Sequence, residues 1–461
     1  MRALHDPAGW LANGLSIIRE RYAVPTSFPK AVLAAAEVAA RRAPSEHIDR
    51  TARPFVTLDP ASSTDLDQAF AIEAAGSDWL LHYAIADVAW FVTDGDPLDQ
   101  EAWKRGTTCY LPDGKANLYP PLLSERCASL LPDGDRPALI LSVRIAPDGR
   151  CRLDGVERAL IRSRAKLGYE TVRPDDLPPG FDAIVRRLTQ AEQARGASRI
   201  DPPEQQLEKD GSGTFRLGYR LSGPAEEGNA ALSLAANLAV AQAMLAAQTG
   251  LFRTMPAPDA KAEQELRATA QAFGVPWPET MPLAQLERRL DPRDASHAAL
   301  MMAIRRAGHG ASYSGYHTDE LPWHAAIGAP YAHATAPLRR LADRYVLRTV
   351  HALAQGKPIP AFVRDAFETL PPVMARAGAR DAQIERAVID LAEATMLEPL
   401  AGCTFAATVT DRQGERAQIQ LNTLPVIARL ALPGAMPGDP VRVRLRAAYP
   451  LEQRLEFEAV D

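Results

Sequence analysis

At 461 residues the chain is too long for one typical domain of about 100 to 200 residues, so two or three are expected, with enough apolar sequence for a large core. Apolar residues at 46% and charged residues at 24% exclude a disordered polymer, and a formal net charge of -5 excludes a general attraction to polyanions, so any nucleic-acid surface has to be a local basic channel or patch. Four cysteines, Cys109, Cys127, Cys151 and Cys403, lack metal spacing and are too few for a disulfide scaffold, which fits a reducing cytoplasm; no window reads as an export leader or as the roughly 20 apolar residues of a membrane span.

Residues 1 to about 48 read as short helices. "DPAGWLANGLSIIRERY" opens on an Asp-Pro cap signal and "FPKAVLAAAEVAARR" is Ala-rich with a basic end. In length the pair resembles a helix-turn-helix, although two such helices more often only pack on a neighbour. From about 50 to 165 strands and turns dominate, with a Pro-Asp-Gly turn inside "LSVRIAPDGRCRLDGV". Within this half "TLDPASSTDLDQAF", residues 57 to 70, crowds Asp59, Asp65 and Asp67 at a junction of strand and loop. A strand beginning near Asp65 points Asp65 and Asp67 to one face, where Asp59 at the end of "PFVTLD" can join them. Three carboxylates without His or Cys suit magnesium or manganese; a solvated loop of capped turns is the other reading.

After about 180 helices take over, closing on Gly250, Gly274 and Gly356, with "GSGTFRLGYRLSGPAEEG" as an intervening hairpin. A helix "DAQIERAVIDLAEATML" leads into residues 402 to 461, whose five or so strands suit a small OB-type barrel. There "VRVRLR" sets Arg442, Arg444 and Arg446 on one face and Val441, Val443 and Leu445 on the other; the arginines suit a single-strand backbone binder or a solvated outer face alike. Phe405 and Tyr449 are the candidate stacking aromatics.

Taken in order, "LDPASSTDLDQAF", "HYAIADVAWFV", "RCASLLPDGDRPALILSV", "RAKLGYETV", "AANLAVAQ", "HATAPLRRLADRYV" and "AQIERAV" resemble the RNB exoribonuclease family, the ribonuclease II and ribonuclease R group, over roughly residues 50 to 398. The resemblance implies an α+β fold: an RNB catalytic domain over 49–398, a mixed sheet with helices around an RNA channel, then an RNA-binding OB barrel over 402–461, preceded by the helical segment 1–48. It implies a monomeric cytoplasmic enzyme, free of membrane, that hydrolyses single-stranded RNA from the 3′ end to nucleoside 5′-monophosphates with magnesium, manganese being the alternative. Asp59, Asp65 and Asp67 match the family's acidic ligands and Asp67 the one tied most closely to chemistry. Arg339 matches the arginine at the scissile phosphate, Tyr110 the aromatic at the terminal base and Glu385 a channel acid. With Pro337 before them, Arg339 and Arg340 are expected in the first turn of a helix, facing an anion.

The chain also departs from the family. Gln68 stands where a fourth aspartate is expected, leaving a neutral carbonyl oxygen as the metal ligand and predicting a higher magnesium requirement. About 48 residues cannot hold the N-terminal pair of cold-shock barrels. "NAALSLAAN" lacks an acidic pair, and Phe252 in "TGLFRTM" lies near the base-sandwiching position without matching it. A binding protein on this fold with weakened chemistry is the rival reading.

Overall fold

The computed structural model of the chain describes residues 2–4, 6–197, 204–210, 212–220, 222–291, 294–308 and 310–460. Among these, seven strands form the main sheet in the order Ser163–Gly168, Phe55–Asp59, Gln68–Ala75, Asp78–Ala86, Arg136–Ile145, Cys151–Ile161 and Ile48–Asp49. The two outermost strands run parallel to their neighbours and the rest antiparallel, so the sheet is mixed. Unbroken burial from Leu81 to Ala86 means that both faces of the central strand are covered. Helices Pro224–Ala246 and Leu341–Ala354 pack against this sheet. The Pro-Asp-Gly turn joins Arg136–Ile145 to Cys151–Ile161. Gly149 takes φ 76° in it, and a Cβ there would collide with the Arg187 carbonyl, so only glycine lets the helix Phe181–Ala194 close on the turn.

Burial and helix length correct several sequence expectations. Pro224–Ala246 is long and apolar enough to cross a membrane over an 18-residue window, contrary to the expectation that no such window exists. Yet 61% of that window is buried inside the fold. The helix expected to begin at Asp381 is the end of a longer one, Ala361–Leu397, 37 residues that run through Pro371 and Pro372. Adjacent prolines remove two donors from one turn, and the buried Leu370 and Met374 on either side hold the helix to the core across the gap.

The N-terminal helices Trp10–Arg21 and Lys30–Ala40 seat on two different cores rather than pairing as a helix-turn-helix-like unit. Leu11, Leu15 and Ile18 join the cluster under the C-terminal barrel, whereas Val32, Ala36 and Ala39 join the main core. Strands Glu204–Lys209 and Phe215–Arg220 form a hairpin, which Arg2–Ala3 extends; it lies earlier than the stretch 211–228 expected as one, which supplies only the second strand and then opens the helix Pro224–Ala246, and Gly211 and Leu221 of that stretch lie outside the described residues.

The C-terminal strands follow the order Ile427–Ala431, Arg416–Leu421, Thr404–Gln413, Pro440–Tyr449 and Arg454–Val460, all antiparallel, and the two edge strands meet to nearly close an OB-like barrel. Glu393 of the long helix ties this barrel to the rest. Its Oε1 accepts from Gln205 Nε2 at 2.6 Å in the hairpin and from the Ile427 backbone N–H at 2.9 Å in the barrel. Burial pushes its pKa up to about 8, outweighing both hydrogen bonds. A carboxyl raised in the folded state keeps its proton there after the unfolded chain has lost it, so its contribution to stability is full below the ordinary glutamate pKa and is lost as pH rises through about 8. We expect the melting temperature to fall over this window and Glu393→Gln to flatten the fall; parallel melting curves for the two proteins from pH 5 to 9 would contradict this.

Candidate active site

Strand Phe55–Asp59 carries Asp59 to its end, and the chain then loops until Gln68 begins the next strand. Asp65 and Asp67 therefore lie in the loop and do not share a strand face as expected. Lys166 fixes this loop, its Nζ donating to the carbonyls of Ala61 at 2.7 Å and Ser63 at 2.6 Å. Asp67 is buried at 6% exposure; its Oδ1 accepts the Leu338 N–H at 2.7 Å, and its Oδ2 lies 3.7 Å from Arg339 Nε. Burial pushes the Asp67 pKa up to about 8 and the Asp59 pKa up to about 7, and Arg339 is the main charge opposing both shifts. Two carboxylates short of counter-charge, Asp67 buried and Asp59 half-buried, are what a hard cation fits.

Asp65 is turned elsewhere. Its Oδ1 accepts from Lys115 Nζ at 2.6 Å and its Oδ2 from the Tyr110 hydroxyl at 3.0 Å. Among the described residues no three His, Cys, Asp or Glu side chains are grouped to hold a metal, so the expected three-aspartate cluster is not assembled. Gln68 is also corrected. Its Nε2 donates to the Thr335 carbonyl at 2.7 Å and its Oε1 accepts from the Tyr83 hydroxyl, so the amide braces a buried contact instead of facing an ion.

The segment 334–340 that carries Arg339 is clamped from several sides. Asn237 Oδ1 accepts from Ala334 N, Asp343 Oδ2 from Ala336 N and Asp67 from Leu338 N, while the Arg339 carbonyl accepts from Thr108 N. The helix starts only at Leu341, so Arg339 sits in the preceding turn and not in the first helical turn. Arg339 is 44% exposed on its side chain and free to reach a phosphate. Its neighbour Arg340 makes a two-pronged bond to Asp343, with Nε and Nη2 at 3.0 and 2.8 Å, and so braces the loop where an RNA contact was expected.

Tyr110 projects 53% exposed from the hairpin Cys109–Leu111 and Gly114–Ala116, as a stacking aromatic requires. Phe252 is fully buried and cannot stack on a base. Phe405 packs edge-on to Phe457 under the barrel, whereas Tyr449 is exposed with the Arg454 guanidinium 4.1 Å over its ring. Arg442, Arg444 and Arg446 alternate outward as read from the sequence, but Arg444 and Arg446 both lie near Glu458, at 3.6 and 3.5 Å.

Glu385 lines a cleft of about 380 Å³ between the long helix, the helix Ala295–Ala307 and the barrel, apart from Asp59, Asp67 and Arg339. Arg305, Arg306, Arg386 and Arg429 line it too. Sequence reasoning missed these arginines and Lys115. "IRRA" and "IARL" carry too little pattern to mark a shared cleft, and Lys115 is visible only as the cross-strand partner of Tyr110.

Comparison with known proteins places the chain in a family. The family model of the RNB domain matches residues 47–356, and that of the RNase II-type exonuclease C-terminal S1 domain matches residues 403–460. The chain is 30% identical over 403 residues to Exoribonuclease 2 of Cronobacter sakazakii, covering 80% of this chain and 61% of that protein. It is 26% identical over 377 residues to Ribonuclease R of Aquifex aeolicus, covering 75% and 52%. The chain thus spans between half and two thirds of the length of these relatives. Among solved structures, Mycoplasma genitalium RNase R in complex with ribose methylated single-stranded RNA superposes with a TM-score of 0.86 at 19% identity, covering 99% of this chain and 79% of that one, and has the same fold. The matched region 47–356 is well over half of the sequence and holds both the acidic run and the arginine loop, so the chain belongs to the RNB family, with an RNase II-type S1 domain following its RNB domain.

Proposed function

We propose that the chain is a metal-dependent 3′-to-5′ exoribonuclease that hydrolyses single-stranded RNA to nucleoside 5′-monophosphates. The observation that carries this is the convergence of the exposed Arg339 on the buried Asp67 and the half-buried Asp59. The exoribonucleases among its relatives support the reading. Asp59 and Asp67 would hold magnesium or manganese, which when bound supplies an activated water and relieves charge on the phosphate. Arg339 holds the scissile phosphate in its fork, and the clamped loop keeps that fork in place through turnover. Tyr110 offers its ring to the terminal base. The arginine-lined cleft beside Glu385 guides the strand by its backbone.

Single-stranded RNA labelled at either end, incubated with and without magnesium, tests the proposal, with DNA of the same sequence in parallel. A 3′ label should appear at once as mononucleotide and a 5′ label as a receding ladder. Internal fragments, or inert RNA at every magnesium and manganese concentration, would overturn it.

The outward arginines of strand Pro440–Tyr449 should contribute by neutralising phosphates. Replacing Arg442, Arg444 and Arg446 together with alanine is expected to weaken long RNA more than short oligomers. The salt slope of binding should fall by up to about 0.7 for each phosphate left unneutralised, because every neutralised phosphate releases counterions from a single strand. Anisotropy titrations over a salt series check this, and slopes that coincide with wild type refute it.

A further inference from the structure

The partners of Asp65 bear on how many ions the site can take. Tyr110 and Lys115 are paired across the hairpin, so both side chains leave the same face, and each takes one oxygen of the Asp65 carboxylate. Lys115 is anchored further, its Nζ lying 3.1 Å from Glu125 Oε1 and 3.4 Å from Thr64 Oγ1, and its side chain is only 21% exposed. Each Asp65 oxygen thus accepts from one donor, one of them a fixed positive charge. Position 68 adds no carboxylate, and its amide is turned to Tyr83 and Thr335. Any ion that used Asp65 would sit beside an ammonium already paired with two acids and meet like-charge repulsion there.

We infer that Lys115 is a tethered cation that removes Asp65 from the ion-binding set, so that the site takes one divalent ion, on Asp59 and Asp67, with an affinity set by Lys115. The inference rests on the metal-dependent reading above. Lys115 acts through Asp65 and is a positioning residue.

Manganese binding to the full-length, RNA-free protein, followed by calorimetry and by the resonance of the free ion, tests it. Wild type should bind one ion per chain. Lys115→Met should bind it about tenfold more tightly, since a positive charge a few ångströms away has gone and a carboxylate is released. Lys115→Arg, which keeps the charge, should behave as wild type. In Asp65→Asn the added Lys115→Met change should have a much smaller effect, the coupling expected of two groups in one ion pair. Melting curves confirm that each variant folds. Coincident isotherms for wild type and Lys115→Met, two ions in wild type, or no binding by either protein would overturn the inference. RNA hydrolysis by wild type on the same preparations is read separately: its absence sinks the exoribonuclease reading, while the isotherms still decide the role of Lys115.

Discussion

Asp67→Asn should abolish RNA turnover while leaving RNA affinity within a few-fold of wild type. Asparagine keeps an oxygen for the Leu338 N–H, so the clamp on the arginine loop survives. What disappears is the charge of a buried ion ligand. Several kcal/mol of transition-state stabilisation depend on that charge, a loss of about 10³-fold in turnover at 1.36 kcal/mol per factor of ten. Binding and hydrolysis measured on one preparation separate the two effects. A folded variant that lost both together would place Asp67 in RNA binding and not in the chemistry.

Arg339→Ala should slow cleavage by about 10² to 10³-fold, the usual cost of removing one positioned donor from a developing charge. The substitution spares the backbone, since the Arg339 carbonyl still accepts from Thr108. It also takes away the main positive charge opposing the raised pKa of Asp59 and Asp67, so ion binding should shift to higher pH as well. Arg339→Lys keeps the charge without the fork and should fall between wild type and alanine. Single-turnover rates with saturating RNA and ion make the comparison, and an alanine variant that cleaved at the wild-type rate would remove Arg339 from the site.

Much of this architecture was legible in the sequence. The change from strand to helix near residue 180, the barrel after 402 and the alternation of "VRVRLR" follow from local pattern and family resemblance. What failed depended on side-chain pairing or on burial, neither of which local pattern shows. Arg339 and Arg340 are adjacent, yet Asp343 claims one and leaves the other exposed. Asp65 looks like its neighbours until the hairpin brings Lys115 across 50 positions to meet it. The proline-containing Ala361–Leu397 exceeds what propensity allows because the core around it supplies the stabilisation, whereas Pro224–Ala246 was legible as a helix and misread only in how apolar it is.

The locked amide of Gln68 has a bearing on what position 68 tolerates. An aspartate there is one methylene shorter and has no donor for the Thr335 carbonyl, and it would put another negative charge beside Asp67, already short of counter-charge. Exchange of Gln68 for the acid is therefore not a neutral step, and it becomes tolerable only with a donor for the Thr335 carbonyl and a positive charge beside Asp67.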